Sequence, residues 1–146
     1  MLDRAWIAAH IPHQGSMCLL DAVLEWSPEH IRCASASHRR ADNPLRDNDR
    51  LGAACGIEFA AQAMAVHGAL LAGNAGGEPR QGYLASVRGV ELNVARLDDI
   101  AGDLDVEAER LSGDDNNILY SFQVRAADRV LLAGRAAVIL NAEALK

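Results

Sequence analysis

The sequence predicts an α+β domain in which an antiparallel sheet wraps one long central helix. Three observations carry that prediction. Residues Gly52 to Gly73 form a run of Ala, Ile, Met, Val and Leu in which only Glu58, Gln62 and His67 are polar, which reads as a helix apolar nearly all round. Two strand-like runs precede it and four follow it. The chain has 146 residues, enough for one sizeable core but not two, so residues 1–146 are read as a single domain.

From Met17 to Trp26, Leu20, Ala22 and Leu24 alternate with Asp21 and Glu25, a strand with one apolar face. Ser27-Pro28-Glu29 breaks the run, and His30 to His38 alternates again, as the second arm of a hairpin would. Residues 39–51 are rich in Arg, Asp and Asn around Pro44 and are expected to cross the surface as a loop. After the helix a Gly-Asn-Ala-Gly-Gly cluster ends the apolar run. Strands are then expected at Tyr83–Val94, Asp103–Leu111, Ile118–Arg125 and Val130–Leu140, separated by turns at Ala101-Gly102, Gly113-Asp114-Asp115 and Ala127-Asp128. Only 4% of residues are aromatic while 50% are hydrophobic, so the core must be built mostly of aliphatic side chains.

Charge and composition exclude several functions. Twenty acidic against 14 basic residues give a net charge of -6, which opposes the counterion release that drives nucleic-acid binding. The first residues carry Asp3, Arg4, His10 and His13 without a continuous apolar run, unlike a signal peptide, so a cytoplasmic location is expected. The long apolar run could span a bilayer by length, but a carboxylate inside it is expensive in lipid, and no membrane association is expected. Cys18, Cys33 and Cys55 have neither zinc-ligand nor disulfide spacing and read as reduced thiols. No metal and no cofactor is expected.

Glu58 is the most informative residue, because a carboxylate on an apolar helix needs a reason to be there. Either it is satisfied structurally, for example by Arg88, or burial raises its pKa so that it works as a general acid or holds a water. The NH groups at the helix start, around Ala54, Cys55 and Gly56, lack intrahelical acceptors and could polarise a carbonyl. Gln62, one turn on, shares the Glu58 stripe and can orient the carboxylate or line the same pocket. His67 falls on the opposite side of the helix and reads as a packing or interface residue.

The segments Ile11-Pro12-His13, Leu19-Leu20-Asp21, Gly56-Ile57-Glu58 and Ala61-Gln62-Ala63, followed by Gly102-Asp103 before an alternating Val106-Glu107-Ala108-Glu109, together resemble the hot-dog 3-hydroxyacyl-acyl carrier protein dehydratases over about residues 10 to 140. The resemblance implies a hot-dog fold and a dimer whose joined sheet wraps two helices. It also implies acyl-thioester sites at the interface, within fatty-acid or polyene-type biosynthesis. Glu58 takes the place of the family's catalytic Glu. The family's loop histidine has no counterpart: Asn43-Pro44 is followed by a shorter loop in which Asp49 stands where that His would be. Asp49 or His13 is therefore the candidate partner of Glu58, and Cys55, Gly56 and Gln62 are candidate substrate-binding residues. In this the chain is similar to a divergent branch of the family that lacks the loop His.

Three functions remain open at this point. The first is a dehydratase acting on a 3-hydroxyacyl chain carried by acyl carrier protein or coenzyme A. The second is a non-catalytic subunit that binds acyl thioesters in a heterodimer with an active homologue. The third is an acyl thioesterase. Carrier proteins are acidic and so is this chain, so docking calls for a local basic patch, and Arg39, Arg40, Arg46 and Arg50 are the candidates.

Overall fold

The computed structural model describes residues 2–74, 83–114 and 116–139. Seven antiparallel strands form one sheet in the order β1-β2-β3-β5-β6-β7-β4, and one long helix lies across it. The strands are β1 (Leu2–Asp3), β2 (Ala22–Ser27), β3 (His30–Ser35), β4 (Tyr83–Leu92), β5 (Leu104–Gly113), β6 (Asn117–Ala126) and β7 (Arg129–Ile139). The helices are α1 (Arg4–His10) and α2 (Gly56–Asn74).

Strand alternation aims one side chain in two at α2. Ile31, Cys33, Val106, Ala108, Tyr120, Phe122, Val124 and Ala136 are buried on that face and meet Phe59, Ala60, Ala63, Met64 and Val66 of the helix. The sheet covers one side of α2, where Phe59, Ala60, Ala63 and Val66 are fully buried. The outer face of the same strands carries Arg32, Glu107, Glu109, Ser121, Gln123 and Arg135, none of them buried.

The structure corrects the expected elements at their ends. The strand expected from Met17 starts at Ala22. Before it, Gly15–Met17 is a 3-10 turn, and Cys18, Leu19 and Leu20 are buried without pairing in the sheet. The strand expected to reach His38 stops at Ser35, where a 3-10 turn over Ser37–Arg39 turns the buried His38 ring onto the Ile100 carbonyl at 3.0 Å. The helix begins at Gly56 after a separate 3-10 turn, Ala53–Cys55, and runs to Asn74. The rest of the glycine cluster, Asp115 and Leu140 lie outside the described residues.

Helix α1 is an addition to the expected elements. Asp3 caps it, its carboxylate accepting the Trp6 NH at 2.9 Å, and Ile7 and Ile11, one turn apart, anchor it in the core. A seven-residue helix is too short to show a convincing period, yet the Asp cap and the Ile pair were its readable signals.

Candidate active site

Glu58 is the third residue of α2, and its surroundings are set by the unpaired segment between α1 and β2. That segment is tied down from several sides. Gln14 Nε2 donates to the Ala8 carbonyl at 2.9 Å, and Arg4 reaches the Gly15 carbonyl at 2.9 Å. The Leu19 carbonyl accepts the Ser35 hydroxyl at 2.5 Å and the Ser37 hydroxyl at 2.8 Å. Gln62, fully buried, spans the segment from below: its Nε2 donates to the Met17 carbonyl at 2.8 Å and its Oε1 accepts the Leu19 NH at 2.9 Å.

These ties bring His13 to the helix start. Its Nε2 lies 3.2 Å from Glu58 Oε1, and Gln62 Nε2 donates to the same oxygen at 3.3 Å. Both contacts fall on Oε1, so Glu58 Oε2 has no protein partner among the described residues. The site is half-open, with 34% of the Glu58 side chain and 25% of His13 exposed. His13 Nδ1 is buried without a partner among the described residues, so the ring meets the site through Nε2.

The expected upward shift of the Glu58 pKa is overturned. The His13 hydrogen bond, aided by Gln62, outweighs partial burial and holds the Glu58 carboxyl below its ordinary value. Glu58 is therefore a carboxylate near neutral pH and meets substrate as a proton acceptor. The possible structural partner Arg88 instead lies on the outer face of β4, opposite Arg135.

The helix start is less open than the sequence suggests. The Cys55 NH donates to the Gly52 carbonyl at 3.0 Å, and the Gly56 NH is shared between the carbonyls of Ala53 and Ala54. Tightening the chain into a 3-10 turn takes up donors that a clean α-helical start would leave free. Cys55, half-buried, keeps a neutral thiol, its pKa raised by burial. Gly56 is needed for close approach: an added Cβ would stand 2.5 Å from a methyl of Leu132 on β7. The turn is clamped by the chain after β4. The Ala53 NH donates to the Ala95 carbonyl at 3.1 Å, the Leu97 NH to the Leu51 carbonyl at 2.8 Å, and the Leu51 NH to the Asp98 carboxylate at 2.9 Å. The Arg96 guanidinium beside Asp98 holds that carboxyl far below the usual range.

Asp49 does not join Glu58 within the chain. It sits at the exposed tip of a two-residue turn in which the Asp47 and Arg50 backbones bond each other at 2.9 and 3.0 Å, with Asn48 and Asp49 at φ 52° and 59°. Asn and Asp tolerate this left-handed conformation better than other non-glycine residues, so the Asn-Asp pair is explained by the turn. The loop arginines are also largely engaged. Arg46 donates to the carbonyls of Arg40, Asp49 and His38 at 2.9, 3.1 and 3.1 Å, stitching the loop together. Arg39 binds the Ala101 carbonyl at 2.6 Å and Asp103 at 2.9 Å. Arg40 lies 4.0 Å from Asp42, and Arg50 reaches the Ala95 carbonyl at 3.5 Å. The four do not form an uncommitted patch.

His67 is a core residue, well apart from Glu58. Its Nε2 donates to the Ser27 carbonyl at 2.7 Å, which leaves Nδ1 to accept the Tyr120 hydroxyl at 2.8 Å. Burial holds the ring below its ordinary pKa.

Comparison with known proteins places this geometry. The chain is similar to a solved structure described as the dehydratase heterocomplex ApeI:P from Xenorhabdus doucetiae, with 22% identity, 94% of this chain and 92% of that chain covered, and a TM-score of 0.84. It is also similar to zebra fish thioesterase superfamily member 2 (13% identity, 94% and 95% covered, TM-score 0.64) and to AziG of S. sahachiroi (14% identity, 82% and 89% covered, TM-score 0.60). No curated protein matches it by sequence. The shared architecture is the hot-dog fold, a seven-stranded antiparallel sheet with one long helix. The family model described as ApeP dehydratase, ApeP-like, matches residues 5–145, so the chain belongs to the ApeP-like dehydratase family.

Proposed function

We propose that the chain acts on 3-hydroxyacyl thioesters as a dehydratase subunit, with Glu58 as the proton-transferring group and His13 as the residue that holds it ionised. The contact between His13 Nε2 and Glu58 Oε1 at 3.2 Å carries this reading, because it leaves Oε2 facing the half-open site as an available base. In the reaction, Oε2 takes the proton from the carbon alpha to the thioester, and the electron pair moves into the thioester carbonyl. When the pair returns it forms the carbon–carbon double bond and expels the beta hydroxyl. That oxygen recovers the proton from Glu58 and leaves as water. The His13 hydrogen bond to Oε1 favours the ionised form of Glu58 from which the transfer starts and to which it returns.

A second reading is supported by the tight turn at Asp47–Arg50, which occupies the stretch where the resemblance expects a histidine. Here the chain pairs with an active hot-dog homologue that supplies the missing base, and the similar structure is itself described as a heterocomplex. In either reading the acyl chain arrives on a carrier protein or coenzyme A in the cytoplasm, and two hot-dog subunits form the functional unit. Arg40 and Arg50, with only long contacts of 4.0 and 3.5 Å, are the loop arginines best placed to meet a carrier, since Arg39 binds Ala101 and Asp103 and Arg46 ties the loop together. The test is to incubate the chain, alone and with an active homologue, with a 3-hydroxyacyl carrier thioester and follow loss of water by mass spectrometry. Enoyl product that disappears in Glu58→Gln supports the first reading. Product only with the homologue, unaffected by Glu58→Gln, supports the second. Release of free thiol without enoyl product overturns both in favour of thioester hydrolysis.

A further inference from the structure

The outer face of the sheet, away from α2 and Glu58, carries an unusual charge order. Along one row across the strands, His30 of β3 pairs with Glu109 of β5, Glu109 with Ser121 of β6, Ser121 with Arg135 of β7, and Arg135 with Arg88 of β4. Acid thus lies on one side of Ser121 and base on the other. Glu109, Arg135 and Arg88 are exposed, and none has an ion-pair partner among the described residues. Two arginines directly opposite on neighbouring strands repel, so the chain alone leaves this row unfavourable.

The next row is apolar. Leu119, at 37% exposure, lies beside Ala137, and Leu111, at 47%, stands at the adjoining bulge of β5. Small residues floor an open groove along the charged row and the Gln123–Ala133 row next to it. Gly89, at φ +60°, Ala133 and Gly134 border a volume of 540 Å³ together with Ser121 and Arg135.

We propose that this face packs against the same face of a second copy of the chain, about a two-fold axis running along β6. Such an axis keeps each row over itself and exchanges the strands on either side of β6. Glu109 then meets Arg135 of the second copy, Arg135 meets its Glu109, Leu119 meets Leu119, and Leu111 covers Ala137. Arg88 falls over His30, beside which Glu107 lies 3.9 Å away. Four strands of ten or eleven residues and the six-residue β3, at about 3.3 Å per residue and about 4.8 Å apart, offer roughly 750 Å², close to the area per partner of a stable interface. Aligned sheets at about 10 Å separation bring leucine to leucine and glutamate to arginine. The face lies away from α2 and Glu58, so the pairing stands or falls apart from the proposed reaction.

Sedimentation equilibrium on the full chain tests it. Wild type forms an assembly whose mass halves in Glu109→Arg and in Arg135→Glu, each weakening self-association by about tenfold or more. The double exchange, Glu109→Arg with Arg135→Glu, restores the wild-type mass, because a two-fold interface then regains both pairs. Leu119→Asp halves the mass as well, with circular dichroism unchanged. A wild type that is monomeric, single reversals that keep the wild-type mass, or a double exchange that stays dissociated overturns the proposal.

Discussion

Replacing Gln62 with leucine removes the tie between the His13 segment and the helix while nearly preserving volume. Gln62 is fully buried and makes three contacts: to the Met17 carbonyl at 2.8 Å, the Leu19 NH at 2.9 Å and Glu58 Oε1 at 3.3 Å. In Gln62→Leu, the fully buried Leu19 NH and the part-buried Met17 carbonyl lose their partner. A buried backbone group left unpaired costs about 1–3 kcal/mol; with Leu19 at the top of that range and Met17 at the bottom, the gross loss is about 4 kcal/mol. Leucine returns about 1 kcal/mol through its apolar surface, so the net loss is about 3 kcal/mol. For a chain near 150 residues this lowers Tm by roughly 6–12 °C. Urea unfolding followed by circular dichroism measures it, with the midpoint falling and the slope unchanged. A midpoint equivalent to a loss below about 0.5 kcal/mol would refute the claim that the amide pins the segment.

Three further outcomes follow from single contacts. His13→Ala removes the largest influence lowering the Glu58 pKa, so the carboxyl titrates at higher pH in carbon-13 NMR. Because the folded value is depressed, the stability Glu58 contributes is present above its unfolded value and is lost as pH falls through the folded one; in His13→Ala that acid-sensitive part shrinks. An unmoved Glu58 titration would contradict the contact. Gly56→Ala would ordinarily stabilise a helix, yet here the new methyl meets fully buried Leu132, so a loss of about 1–3 kcal/mol in urea unfolding is expected, and a gain would contradict the packing. Arg46→Ala frees three carbonyls of the 38–50 loop, and faster amide hydrogen exchange across that loop, with α2 unaffected, is the expected result.

Much of the fold was legible because period-2 and all-round apolar patterns are written in the residues themselves. The long helix and the last four strands stand where alternation and turn residues placed them, within a few residues at their ends. The region from Met17 to Leu20 was misread because Leu19 and Leu20 are buried as they would be in a strand. The backbone of Leu19, however, bonds to Gln62, Ser35 and Ser37, contacts across long stretches of chain that no local pattern encodes. Glu58 and Gln62 were visible as polar breaks in an apolar helix. The nearness of His13 depends on how that unpaired segment folds back, and its effect on the Glu58 pKa depends on a 3.2 Å contact, so the sign of the shift could not be read from composition alone. At Asp49 two readings of the same residues meet: the family position it matches, and the left-handed turn that Asn48-Asp49 suits and the structure shows.

The central claim is that Glu58 moves the alpha proton of a 3-hydroxyacyl thioester. Incubation with an enoyl or 3-hydroxyacyl pantetheine thioester in deuterium oxide, with any homologous subunit present, measures that step as deuterium entering the alpha carbon. Exchange is expected in wild type, with its loss in Glu58→Gln and weakened exchange with a displaced pH profile in His13→Ala. Exchange that persists undiminished in Glu58→Gln would contradict it.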